Sequence, residues 1–166
     1  MPYTADTRRR VLSSFEDTRD AVTQLASQAE RCIAIYTPDL EPGIYDNEDF
    51  LAVLKKLVLS KRYARVRVLI QNPGKTNRSG NKLVAMARRL NTYIEFRNVD
   101  PKYREKHQEA YLIADDKALL LRASSGKWEG IVGAHEPAIA QRQLEIFEEI
   151  WDASEFKLDR YEARVS

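Results

Sequence analysis

His107-Gln108-Glu109-Ala110-Tyr111-Leu112-Ile113-Ala114-Asp115-Asp116-Lys117-Ala118-Leu119-Leu120-Leu121-Arg122-Ala123-Ser124-Ser125 reads as a hairpin. Tyr111, Leu112 and Ile113 form one apolar run, and residues 118–121 form a second. Asp115-Asp116 supplies the turn between them, since short apolar runs bounded by turn residues favour paired strands. A histidine and three carboxylates, Glu109, Asp115 and Asp116, thus lie within or beside a buried hairpin.

Towards the N-terminus, Val11, Leu12, Phe15, Val22, Leu25 and Ala29 recur at helical spacing and predict one helix over residues 8–30. Residues 31–36 read as a strand. Two prolines and a glycine make residues 37–43 a loop. Asp46 is expected to cap a helix that buries Phe50, Leu51, Leu54, Leu57 and Val58. Lys55, Lys56, Lys61 and Arg62 fall toward its C-terminal end as a solvated face favoured by the helix dipole. A second strand spans residues 65–70. The loop after it contains Gly74-Lys75-Thr76, but Leu69 stands where a P-loop needs its first glycine. That excludes a nucleotide-triphosphate site and leaves Lys75, Arg78 and Lys82 as candidate anion-binding residues. Leu83, Met86, Ala87 and Leu90 stripe the next helix, and residues 92–97 alternate as a third strand.

Beyond a charged connector at residues 101–106 and the hairpin, residues 128–133 predict a last strand. Pro137 opens a final helix whose apolar face is Ala140, Leu144, Phe147, Ile150 and Trp151. The fold class is therefore α/β, a mixed sheet flanked by helices on both faces. One domain is expected over residues 8–154, with a polar tail at 155–166.

The chain has 166 residues, 43% hydrophobic and 31% charged, as expected of a soluble globular domain. Its net charge of +2 gives no bulk argument for nucleic acid or membrane. Cys32 stands alone, which excludes an intrachain disulfide and the multi-cysteine zinc sites. No early apolar stretch is long enough for a signal peptide or membrane span, so the expected location is cytoplasmic. No cofactor or metal is expected.

The order of elements resembles one phospholipase D-like repeat. So do Glu129 at the last strand, the Glu136-Pro137 step, and Phe147-Glu148-Glu149-Ile150-Trp151. Ile35-Tyr36-Thr37-Pro38-Asp39-Leu40-Glu41 and Trp128-Glu129-Gly130 are similar to an uncharacterised phospholipase D-like domain. That domain follows an acetyltransferase domain in some proteobacterial chains. The resemblance implies a bacterial protein, with such an acetyltransferase domain as a possible protein partner. No Arg-x-x-Gly-x-Gly/Ala loop appears, so it implies no acetyltransfer.

The superfamily uses His-x-Lys-x4-Asp on one strand and Gly-Ser-x-Asn on the next. The resemblance implies a phosphohistidine mechanism with lysines on the phosphoryl oxygens, and a dimer that joins two half-sites. This sequence departs from the pattern in either register. With His107 as the histidine, Glu109 stands at the lysine and Ala114 at the aspartate. With Asp115 as the aspartate, which is the preferred register, Gln108 replaces histidine and Ala110 replaces lysine. Arg122, Ala123 and Ser125 then stand where Gly, Ser and Asn belong. The vestigial site candidates are His107, Gln108, Glu109, Asp115, Ser125 and Glu129; His135 reads as a capping or surface residue. The expected function is a catalytically inactive binding or assembly module, expected as a homodimer. One alternative is a phosphodiesterase or nuclease that uses His107 with Lys106 or Lys117. Another is a non-catalytic nucleic-acid-binding domain contacting phosphates through Lys75, Arg78, Lys82 and Arg89.

Overall fold

The computed structural model describes residues 9–75 and 81–154. Seven strands form one sheet: β1 (Arg10–Leu12), β2 (Cys32–Thr37), β3 (Arg65–Ile70), β4 (Ile94–Asn98), β5 (Ala110–Ala114), β6 (Ala118–Arg122) and β7 (Gly130–Gly133). Their order is β1-β7-β6-β5-β2-β3-β4. β2, β3 and β4 are parallel, whereas β5, β6, β7 and β1 pair antiparallel. The β2–β5 pair joins the two halves, with Ile33 opposite Ala114 and Tyr36 opposite Tyr111.

Central strands of such a sheet are covered on both faces, so they read as continuous apolar runs. On one face Ile33, Ile35, Leu112 and Ala114 pack against α1 (Phe15–Ser27), α2 (Glu48–Ser60) and α3 (Lys82–Arg89). On the other face Ala34, Tyr36, Tyr111 and Ile113 meet Ala140, Phe147, Ile150 and Trp151. These four come from the helix Pro137–Ala153. It is α5, since the charged connector contains the short helix α4 (Pro101–Arg104), capped where Lys102 N–H donates to Asp100. Helices thus flank a mixed sheet on both faces. Phe147 and Trp151 are buried as expected, while Leu144 is only partly covered.

Two local expectations are corrected. The helix predicted over residues 8–30 is a strand followed by a helix. Leu12 points inward and Val11 is 79% exposed, because Arg10, Val11 and Leu12 pair with β7 instead of coiling. Ser14 then caps α1 by accepting from Asp17 N–H at 3.0 Å. The cap of α2 is Asn47, which accepts from Phe50 N–H at 3.0 Å. Asp46 instead accepts from Gly43 N–H and closes the preceding turn. Gly130 has a steric reason. A Cβ there would stand 2.6 Å from the Leu121 carbonyl oxygen, so β7 can lie beside β6 only with glycine at this register.

Candidate functional site

In open sheets of this kind, ligands meet the carboxyl ends of the parallel strands. Here the ends of β2 and β3 meet the start of β5 and the end of β6, and of the candidate residues His107, Glu109 and Ser125 come together there. The backbone at His107 is pinned. Its carbonyl accepts from the Tyr36 hydroxyl at 2.7 Å and from the Gln71 side-chain amide. Burial pushes the Tyr36 hydroxyl well up, so it stays protonated and donates.

Two side-chain groups occupy opposite faces of this end. Towards α5, His107 Nδ1 lies 3.2 Å from Glu109 Oε2, and Gln143 Nε2 donates to the same oxygen at 3.4 Å. The buried Tyr111 hydroxyl close by makes no hydrogen bond of good geometry. Its ring stacks on Tyr36 with centroids 5.2 Å apart. Towards the α1–α3 face, Arg122 is 2% exposed and its guanidinium is fully engaged. Nη1 donates to Glu41 Oε2 at 2.8 Å, Nη2 to Ser125 O at 2.7 Å, and Nε to Lys127 O at 2.8 Å. The Trp128 ring lies against it at 4.4 Å, braced edge-on by Phe15. Glu41 reaches this position through a strained bend, in which Leu40 (φ 66°) and Glu41 (φ 23°) are both left-handed without being glycine. Thr37 holds the bend by accepting from Leu40 N–H at 3.2 Å. Burial pushes the Glu41 carboxyl up, against the pull of the Arg122 guanidinium.

The remaining candidates separate. Gln108 is exposed, and its carbonyl accepts from Ser125 N–H at 2.8 Å. Asp115 lies at the opposite end of β5, with Lys117 in the same turn. Held at φ 61°, its carboxylate accepts from the N–H groups of Glu30, Arg31 and Cys32, the shortest at 2.8 Å. Glu129, Lys106 and His135 are exposed. Lys82 pairs with Glu48 at 2.7 Å. Arg78 and the Lys75 side chain lie outside the described residues. Among the described residues, no three His, Cys, Asp or Glu side chains gather as a metal would require.

The family described as a domain of unknown function (DUF7931) matches residues 14–160. The chain belongs to this family. No curated protein matches the sequence. Among solved structures, TrmBL2, an archaeal chromatin protein that binds DNA, superposes with a TM-score of 0.64 at 15% identity. The match covers 90% of this chain and 54% of TrmBL2, so the chain spans about half of that protein. Nuc from Salmonella typhimurium, a phospholipase D family member, gives 0.59 at 18% identity, covering 90% of this chain and 98% of Nuc. NucT from Helicobacter pylori gives 0.62 at 12% identity, with coverage of 90% and 98%. The fold of this DUF7931 domain is phospholipase D-like.

Within the DUF7931 domain the β5–β6 register sets Ala110 directly opposite Arg122. A small side chain faces a long one across the ladder, so the guanidinium can turn toward Glu41. Sequence reasoning named Arg122 only as the occupant of a glycine position, and it missed Glu41, Gln71 and Gln143 as partners. An arginine closing the run Leu119-Leu120-Leu121 was the available signal, since a strand buried on both faces rarely ends in an unpaired cation. No helix among the described residues is long and apolar enough to cross a membrane.

Proposed function

We propose that this domain is a catalytically inactive phospholipase D-like module that binds or assembles with a partner. The observation that carries the reading is the buried Arg122–Glu41 pair. In the register anchored on Asp115, Arg122 stands at the glycine of Gly-Ser-x-Asn and fills space that a diester would need. The three N–H groups gathered on the Asp115 carboxylate, remote from the open end of the sheet, support that register. Gln108 then offers no nucleophile and Ala110 no ammonium. In the alternative register Glu109 sits beside His107, and its carboxylate would repel a phosphodiester. Arg122 does not replace the missing lysine, since its charge is already balanced by Glu41 and its donors are spent on carbonyls.

Wild-type protein is expected to show no turnover of a generic phosphodiester or of single-stranded DNA. Losing one positioned cation or oxyanion donor costs roughly 3 to 4 kcal/mol in the transition state, hundreds-fold in rate. Losing the nucleophile removes the covalent route. The assay compares wild type, His107→Ala, and Gln108→His combined with Ala110→Lys. Wild-type turnover abolished by His107→Ala would overturn the proposal in favour of a His107 phosphodiesterase.

The module is proposed to associate as a homodimer through the face that would join half-sites, since closed two-fold pairs are the commonest oligomers. Sedimentation at micromolar concentration should return twice the chain mass. A single species of one chain mass would remove the dimer and leave a partner of another kind.

A further inference from the structure

The near-neutral net charge conceals a segregation along the chain. Residues 50–94 contain eleven lysines and arginines and no carboxylate, so the rest of the chain carries sixteen basic against all 25 acidic residues. The fold gathers much of this segment onto one surface. α2 and α3 are the successive crossovers of the parallel strands β2, β3 and β4, and both pack on the same sheet face. The Lys82–Glu48 pair joins their first turns, so the two helices start side by side. Along α2, on the order of 20 Å long, the outward positions Lys55, Lys56 and Leu59 lead to Arg62 and Tyr63 in the following turn. The last turn of α3 carries Arg88 and Arg89, and Arg65 lies over the Tyr93 ring at 5.7 Å.

Among the described residues no carboxylate pairs with Lys55, Lys56, Lys61, Arg62, Arg65 or Arg89. Leu59 and Tyr63, 61% and 59% exposed, stand among these cations. Helix dipoles account for cations in the last turns, but not for a segment this long without a single acid. We infer that the outer face of the C-terminal halves of α2 and α3, beyond the acidic first turn of α2 at Glu48 and Asp49, binds the phosphate backbone of nucleic acid. A line of lysines and arginines with one exposed tyrosine suits a polyphosphate chain, the tyrosine offering a base its ring. Two exposed apolar side chains give too little area to seat in a lipid surface. This face lies away from the Arg122 end of the sheet, so the inference stands whether or not that end is catalytic.

The test is fluorescence anisotropy with labelled single-stranded and duplex oligonucleotides of mixed sequence, between about 50 and 200 mM salt. Wild type is expected to bind both. Lys55→Glu, Lys56→Glu, Arg62→Glu and Arg89→Glu together should lower affinity at least about tenfold and flatten the duplex salt slope by about 4. A control reversing Arg10, Lys102, Lys127 and Arg142 to Glu removes the same net charge from other surfaces, and should leave most of the binding. Tyr63→Ala should weaken single-strand binding by about fivefold or more and leave the duplex nearly unchanged. Thermal melts establish that each variant is folded. Absence of wild-type binding, equal loss in both reversal sets, or binding to phosphatidylserine vesicles but not to oligonucleotides would each overturn the inference.

Discussion

Arg122→Ala is expected to destabilise the domain by about 3–5 kcal/mol, because it leaves the Glu41 carboxylate buried without its cation. Both partners are nearly inaccessible, with side-chain exposures of 2% and 8%. The strained bend at Leu40 and Glu41 is held by the same network, so its loss also frees the loop between β2 and α2. Glu41→Ala should cost a similar amount, leaving a guanidinium with two carbonyl partners and an unbalanced charge. Replacing both residues, Arg122→Met with Glu41→Leu, should recover much of the loss, since a buried ion pair is often no more stable than apolar side chains of similar volume. Urea denaturation of the two single variants and the double variant supplies the full cycle. A single-variant cost below about 1 kcal/mol would mean the pair behaves as a solvated surface contact.

Trp151→Ala carries the second large effect, again about 3–5 kcal/mol. Trp151 is 6% exposed, and its ring stacks on Phe147 at 5.8 Å. Two arginines from neighbouring strands flank it: Arg97 lies 4.4 Å from the ring, and Arg67 lies 5.5 Å away. Arg97 also donates to the Trp151 carbonyl at 2.8 Å, and Arg67 forms a two-pronged pair with Glu148 at 2.7 Å. Truncation would therefore remove apolar contact and take from Arg97 its aromatic neighbour, while Arg67 keeps the Phe147 ring at 5.1 Å. Trp151→Phe should retain part of the stability, since a smaller ring keeps some of the stacking and cation contact. A Trp151→Ala loss no larger than that of an exposed alanine substitution would show that α5 is not held by this side chain.

β2, β3 and β5 were legible in the sequence as short apolar runs bounded by turn residues, and α5 as a stripe at helical spacing. β1 was not. Val11 and Leu12 continue the helical spacing of Phe15 and Val22, and only pairing with β7 turns three residues into an edge strand. The α2 cap slipped by one position because Asp46 and Asn47 are both competent, and the turn at Gly43 claims the aspartate. The Asp115-Asp116 turn was visible, but not that one carboxylate would collect three N–H groups from residues 83 to 85 positions away. Glu41 and Arg122, 81 positions apart, meet only through the sheet. The charge segregation needed no structure. The 25 acidic residues outside residues 50–94 cancel it in the whole-chain net charge.

The seam between the parallel and antiparallel halves has a kinetic consequence. Pairing β2 with β5 brings together residues such as Ile33 and Ala114. Either half can begin from neighbouring segments, but the seam requires closing a loop of about half the chain before its contacts reward it. Folding is then expected to be limited by docking of the hairpin onto β2. Weakening the Asp115 clamp should slow folding, and truncating Trp151 on the later-packing helix should chiefly speed unfolding.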